Sequence, residues 1–269
     1  MSLFQVNVPE LLTFVAVLVR ISVLYTVLPF IGDRVVAAPI KILFALATSV
    51  AIFPALVASG SVSVREAQVW SSSPAHLVLT LSLEVVLGLA LGFVARLIFQ
   101  GISIGANLAG NFMGFSAASQ YDPHQESQSE IVAQVQTTLA MLLFLALDGH
   151  HLMVRAALRS YEIVGLGRAQ LGGQFNQRLI QLSSQVIAFA IQMSAPVAVI
   201  LFTVNVIFGI LAKAVPQLNV MVISMGVSAL VGRVVFFLHL PGFREDVVSL
   251  ISQMGLWMEG TMQSMVPRS

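Results

Sequence analysis

The chain has 269 residues, 57% hydrophobic and 9% charged, with a formal net charge of +1 and no cysteine. A soluble domain carries roughly 25% charged residues, so this composition, with a mean hydropathy of +0.92, points to a chain that faces lipid or other apolar protein. The charge balance gives no electrostatic basis for nucleic-acid binding, and zero cysteines exclude disulfides and thiolate metal sites.

The N-terminal "MSLFQVNVPELL" lacks the basic region of a cleaved signal peptide, so the first apolar segment is expected to be retained. About six apolar runs then approach the roughly 20 residues that a spanning helix needs. They are Leu11–Ile31, Ile40–Ala58, Leu77–Phe99, the short Ile131–Leu147, Val186–Ala212 and Val220–Leu240. A seventh helix is predicted over Phe243–Met265, amphipathic and suited to an interface or a partner. The runs are continuous rather than alternating, which selects helices over barrel strands. The predicted fold class is therefore all-α, a polytopic membrane protein of about six to eight long hydrophobic helices arranged in hairpins. The positive-inside rule divides on orientation. Arg155, Arg159, Arg168 and Arg178 favour a cytoplasmic 148–182 connection, which would leave Arg34, Lys41 and Lys213 outside.

Three ionisable residues, Arg20, Glu84 and Arg233, fall inside apolar runs. A charge at the bilayer centre costs about 2.5–3.5 kcal/mol on insertion scales. Either the side chains snorkel from misjudged span edges, or they never meet lipid and pair with each other or with other subunits. Glu84 leads "VVLGLALGF", whose Gly88 and Gly92 form a GxxxG face for close helix contact.

The stretch "GANLAGNFMGFSAASQYDP" (105–123) is less apolar than its surroundings. Gly101, Gly105, Gly110 and Gly114 would each cost a helix about 1 kcal/mol relative to Ala. On a helical wheel Leu108, Phe112 and Phe115 share one face, Ser103, Asn107 and Asn111 a polar stripe, and Ala106, Gly110 and Gly114 a stripe of small residues. Asp122-Pro123 then stops the helix. Two readings fit. The stretch is a tightly packed buried helix, or a weakly held plug whose bulky side chains, Phe112, Met113 and Phe115, close a pore.

Other chemistry is sparse. His150 and His151 in "LDGHH" are adjacent on a helix start and are not expected to face one ligand. Ser116 after a glycine suggests an intramembrane serine hydrolase only if a histidine such as His239 reaches it. No HExxH, P-loop or dinucleotide fingerprint occurs. "KAVPQLNV" reads as a hairpin turn: Pro216 ends a helix, and Gln217 and Asn219, following Lys213, satisfy freed backbone groups or reach a partner.

Taken in order, the glutamate-led glycine helix (Glu84, Gly88, Gly92), "GNFMGFSAASQYDP", "LDGHH" and "APVAVILFTVNVIFGILAKAVPQLNV" resemble the FliR family of flagellar type III export-gate proteins along nearly the whole chain. Lys213 stands where that family often has arginine. The resemblance implies a non-enzymatic, cofactor-free subunit of the bacterial inner membrane and flagellar basal body. It implies assembly with FliP-like and FliQ-like subunits, contact with FlhA- and FlhB-like export proteins, and unfolded protein cargo. It also implies two parts, 1–185 similar to FliP and containing the plug segment 105–121, and 186–269 similar to a FliQ hairpin plus a C-terminal amphipathic helix. Plug and pore would then be formed by Asn107, Leu108, Asn111, Phe112, Met113 and Phe115. A small secondary transporter using Arg20, Glu84 and Arg233 as ligands stays as the rival; it predicts function as an isolated unit.

Overall fold

The computed structural model describes residues 7–29, 32, 36–113, 128–217 and 219–266, with side-chain detail omitted for 128–132 and 221. Eight helices and no strand occur among the described residues: α1 Val8–Val27, α2 Ala38–Ala58, α3 Val64–Trp70, α4 Pro74–Phe112, α5 Gln128–Ala146, α6 Gly149–Ile163, α7 Gly173–Ala214 and α8 Val220–Gln263. Five of these are long and apolar enough to cross a membrane, and a sixth span results if Ala133–Ala146 and Gly149–Ile163 form one broken segment. The fold is an all-α polytopic one, as the continuous apolar runs require.

Local signals set the helix ends. Proline occupies the first turn of α1 and α2, where its missing N–H would have no intrahelical acceptor. Gly60, Gly165 and Gly167 have positive φ in the connections that follow α2 and α6, a conformation open to glycine without steric cost.

Four boundaries differ from the sequence expectation. α4 does not stop near Phe99 but runs through the glycine stretch to Phe112. The runs Val220–Leu240 and Phe243–Met265 belong to one helix, with Pro241 inside it. The apolar face of the second stretch is buried in the chain's own fold at Phe243, Val247, Leu250, Met254 and Met258, so it is not a separate surface-lying helix. The 148–185 connection holds α6 and the first turns of α7, and the short α3 has no apolar run behind it.

Two compact units form. The first contains residues 1–97, 148–182 and 253–269, the second 98–147 and 183–252. In the first, α4 lies against α1 at its two glycines. A Cβ at Gly88 would sit 2.7 Å from the Arg20 carbonyl oxygen, and one at Gly92 would sit 2.7 Å from Val27 Cβ. Phe14 of α1 meets Phe53 of α2 edge-on at 5.5 Å. Small-xxx-small spacing is what such backbone proximity needs. In the second unit the end of α4 lies against α7. A Cβ at Gly101 would meet Val186 Cγ1 at 2.7 Å, and one at Gly105 would meet the Ala190 carbonyl oxygen at 2.8 Å. Phe99 of α4 and Phe144 of α5 add an edge-on ring pair at 5.4 Å.

Candidate functional site

Two arrangements stand out, one in each unit. In the first, Arg20 of α1 and Glu84 of α4 meet, each with a side chain only 1% exposed. Arg20 Nε donates to Glu84 Oε2 at 2.6 Å and Nη2 donates to Oε1 at 3.0 Å, the side-on fork that suits a guanidinium and a carboxylate. Both terminal nitrogens make further bonds. Nη1 reaches Ser160 Oγ at 2.8 Å, and Nη2 reaches the Gly165 carbonyl oxygen at 2.8 Å. Glu84 Oε1 accepts the Gly167 amide at 2.7 Å. The Tyr161 ring lies 3.9 Å from the guanidinium carbon, a cation–π contact.

The geometry follows from the backbone around the pair. Positive φ at Gly165 and Gly167 turns one carbonyl and one amide toward it. A Cβ at Gly167 would lie 2.8 Å from Thr80 Cγ2, so α4 itself closes over this loop. The network joins α1, α4, α6 and the loop after α6. It leaves neither charge open to a dissolved substrate, which removes the two ligands that the transporter reading needs most. Ser160, Gly165 and Gly167 were not foreseen. Two of them act through backbone atoms, and the only trace in the sequence is the "GLG" at 165–167.

The second arrangement is the C-terminal end of α4. Asn107 donates to the Ser103 carbonyl oxygen at 2.8 Å, one turn back on its own helix. Asn111 and Phe112 are exposed, and Leu108 is half-buried. Met113 is 1% exposed and sits in a small core with Ala109, Val197, Leu201 and Val235. Its seat on α8 is Gly232: a Cβ there would lie 2.5 Å from Met113 Cγ and 3.3 Å from Met113 Cβ. Met113 is thus packed inside the chain, while Phe112 beside it points outward. Gly110 is buried. Gly114, Phe115, Ser116, Asp122 and Pro123 lie outside the described residues.

The other expected residues are dispersed. Arg233 is exposed on α8 and has no ion-pair partner among the described residues. Lys213, Pro216, Gln217 and Asn219 are exposed at the turn between α7 and α8. His150 and His151 come closer than expected for helix neighbours, with ring centroids 4.2 Å apart. Asp148, in the left-handed region at φ 56°, places its carboxylate 3.2 Å from His151 Nδ1. All three are exposed, and this arrangement at a helix start is ordinary surface chemistry.

Long apolar helices, glycine-mediated helix contacts and a buried ion pair define a polytopic membrane protein. Residues 11–254 match the family described as Bacterial export proteins, family 1. The chain belongs to that family, the FliR and SpaR type of flagellar and type III export apparatus proteins. It is 31% identical over 215 residues to the flagellar biosynthetic protein FliR of Bacillus subtilis (strain 168), covering 79% of this chain and 80% of the relative. It is 26% identical to the Escherichia coli (strain K12) FliR, covering 80% and 79%. It is also 24% identical over 226 residues to the surface presentation of antigens protein SpaR of Shigella flexneri, covering 81% of each.

Proposed function

We propose that this chain is a subunit of the flagellar type III export gate in the bacterial inner membrane. With FliP-like and FliQ-like subunits it forms the channel through which unfolded flagellar proteins leave, next to FlhA- and FlhB-like export proteins. Residues 1–185 take the FliP-like place and 186–269 the FliQ-like hairpin, whose turn at Lys213, Pro216, Gln217 and Asn219 reaches a neighbouring subunit. The flagellar assignment rests on the FliR relatives. Residues 105–121 close the channel at rest.

One observation supports the closing role above the rest: the end of α4 is held by a contact that only glycine permits. Met113 rests on Gly232, and the buried cluster around it is small. Phe112 stays outside that cluster at 39% exposure, free to face a pore. Met113 is then the anchor of the plug rather than part of its pore-filling surface. Beyond the small residues Ala109 and Gly110, Met113 is the one bulky side chain that seats the end of α4, and methionine repacks readily, which suits a contact that must open.

The chain has no cysteine, so an engineered pair has no competitor. Ideal Cβ positions at 113 and 232 lie 3.3 Å apart, close to the range of about 3.5–4.5 Å that a disulfide spans. Met113→Cys with Gly232→Cys is expected to cross-link under oxidation and to stop secretion of flagellar cargo, with export returning on reduction. Normal secretion by fully cross-linked complexes would show that the end of α4 does not move during export.

A further inference from the structure

We infer that Arg233 docks onto a carboxylate carried within an apolar helix of another subunit. This rests on the reading of the chain as a subunit of a membrane assembly, and adds the chemistry of the partner that covers this face of α8.

Position carries the first part. Between Val220 and Arg244, Arg233 is the single charged residue of α8. It lies 13 residues after the first and 11 before the second, which at 1.5 Å per residue is about 20 Å and about 17 Å. Half of a bilayer's hydrocarbon core is about 15 Å. Within the apolar run Val220–Leu240 itself, Arg233 is seven residues, about 10 Å, from the C-terminal edge, inside the run rather than at its end.

Its surroundings carry the second part. Ser228, Gly232 and Val235 belong to the inner face of α8, with Gly232 against Met113. Arg233 points the other way, without a hydrogen bond or ion pair among the described residues. Its neighbours on that outward side are Leu230 at 65% exposure, Val234 at 51% and Phe237 at 68%. A water-filled lumen would not be lined by such a cluster, and lipid would not accept the guanidinium. A protein surface satisfies both: apolar side chains around one acidic group, which a guanidinium binds as a fork. Within this chain, Arg20 shows the same solution, with Glu84 as its carboxylate.

The test uses the complete complex, made by co-expression with the FliP-like and FliQ-like partners. Arg233→Leu is expected to lower recovery of full-mass complex by about thirtyfold or more, the scale on which an orphaned buried charge weakens an interface. Leucine suits both helix and lipid here, so the amount of membrane-inserted chain, measured in parallel, stays at the parental level. Arg233→Lys, which keeps the charge but loses the fork, recovers more complex than Arg233→Leu and less than the parent. Arg233→Glu is rescued when one intramembrane Asp or Glu of a partner is changed to Arg. Parental recovery with Arg233→Leu overturns the proposal, as does failure of every single partner reversal to rescue Arg233→Glu. Reaction of Arg233→Cys in the assembled complex with a membrane-impermeant thiol reagent overturns it too, by placing the side chain in water. If the unaltered chain joins no complex, the subunit reading itself falls and this proposal falls with it.

Discussion

Arg20 and Glu84 illustrate how a charge inside an apolar helix is kept. Neither is accessible, and each ionic atom has a partner within the chain. Removing one member of such a pair leaves the other uncompensated, at a cost of about 3–5 kcal/mol, whereas replacing both by apolar residues is often close to neutral. Arg20→Leu and Glu84→Gln are therefore expected to lower the thermal stability of the purified complex strongly. The double change Arg20→Met with Glu84→Leu should recover much of the loss. Single and double variants that melt like the parent would show that the network contributes nothing to the fold. The sequence allowed two destinations for these charges, each other or a different subunit. The choice between them was not legible, because Ser160, Gly165 and Gly167 lie more than 60 residues away from either charge and two of them contribute only backbone atoms.

At the scale of helices, periodicity and proline made the long apolar elements legible, while glycine misled. Four glycines argued against a robust helix over 101–114. α4 nevertheless runs through to Phe112, because Gly101 and Gly105 bring its backbone against Val186, Ala190 and Met193 of α7. Close packing offsets the propensity cost, and a single sequence does not show which helix will supply it. Pro241 likewise lies within α8 rather than ending it, since burial of Phe243 and Val247 beyond the proline carries the helix onward. The glycines are not equivalent, and this is testable. At Gly105 an added methyl meets backbone, the Ala190 carbonyl oxygen at 2.8 Å, whereas at Gly209 nothing lies within 4 Å. Gly105→Ala is expected to destabilise the chain by about 1–3 kcal/mol through overpacking, and Gly209→Ala to raise helix stability by up to about 1 kcal/mol. Resistance of the membrane-inserted chain to limited proteolysis reads the difference. Equal resistance of the two variants would mean that α4 and α7 are not in contact at this point.

For the whole molecule, the uneven covering of its helices is the main physical fact. The most apolar stretch of α4 is 44% buried, but those of α7 and α8 are only 11% and 17% buried. Surfaces such as Phe202, Ile207 and Ile210 on α7 and Leu230, Phe237 and Leu238 on α8 face outward. Apolar patches of this extent mark lipid or partner surfaces. The family resemblance was legible from ordered motifs along the chain, whereas the packing of Met113 on Gly232 was not, since a lone glycine in a long apolar helix carries no directional signal. If residues 105–121 close an export channel as proposed, ion leakage measures it directly. In cells overproducing this chain with the FliP-like and FliQ-like partners proposed for it, removal of residues 114–121 together with Phe112→Ala takes away the bulky side chains assigned to the pore, Phe112 and Phe115, and leaves Met113 to seat on Gly232. Complexes of near-parental mass together with a clear rise in the leakage of small ions are expected. Complexes that form fully and leak no more than the parent would contradict the proposed closure.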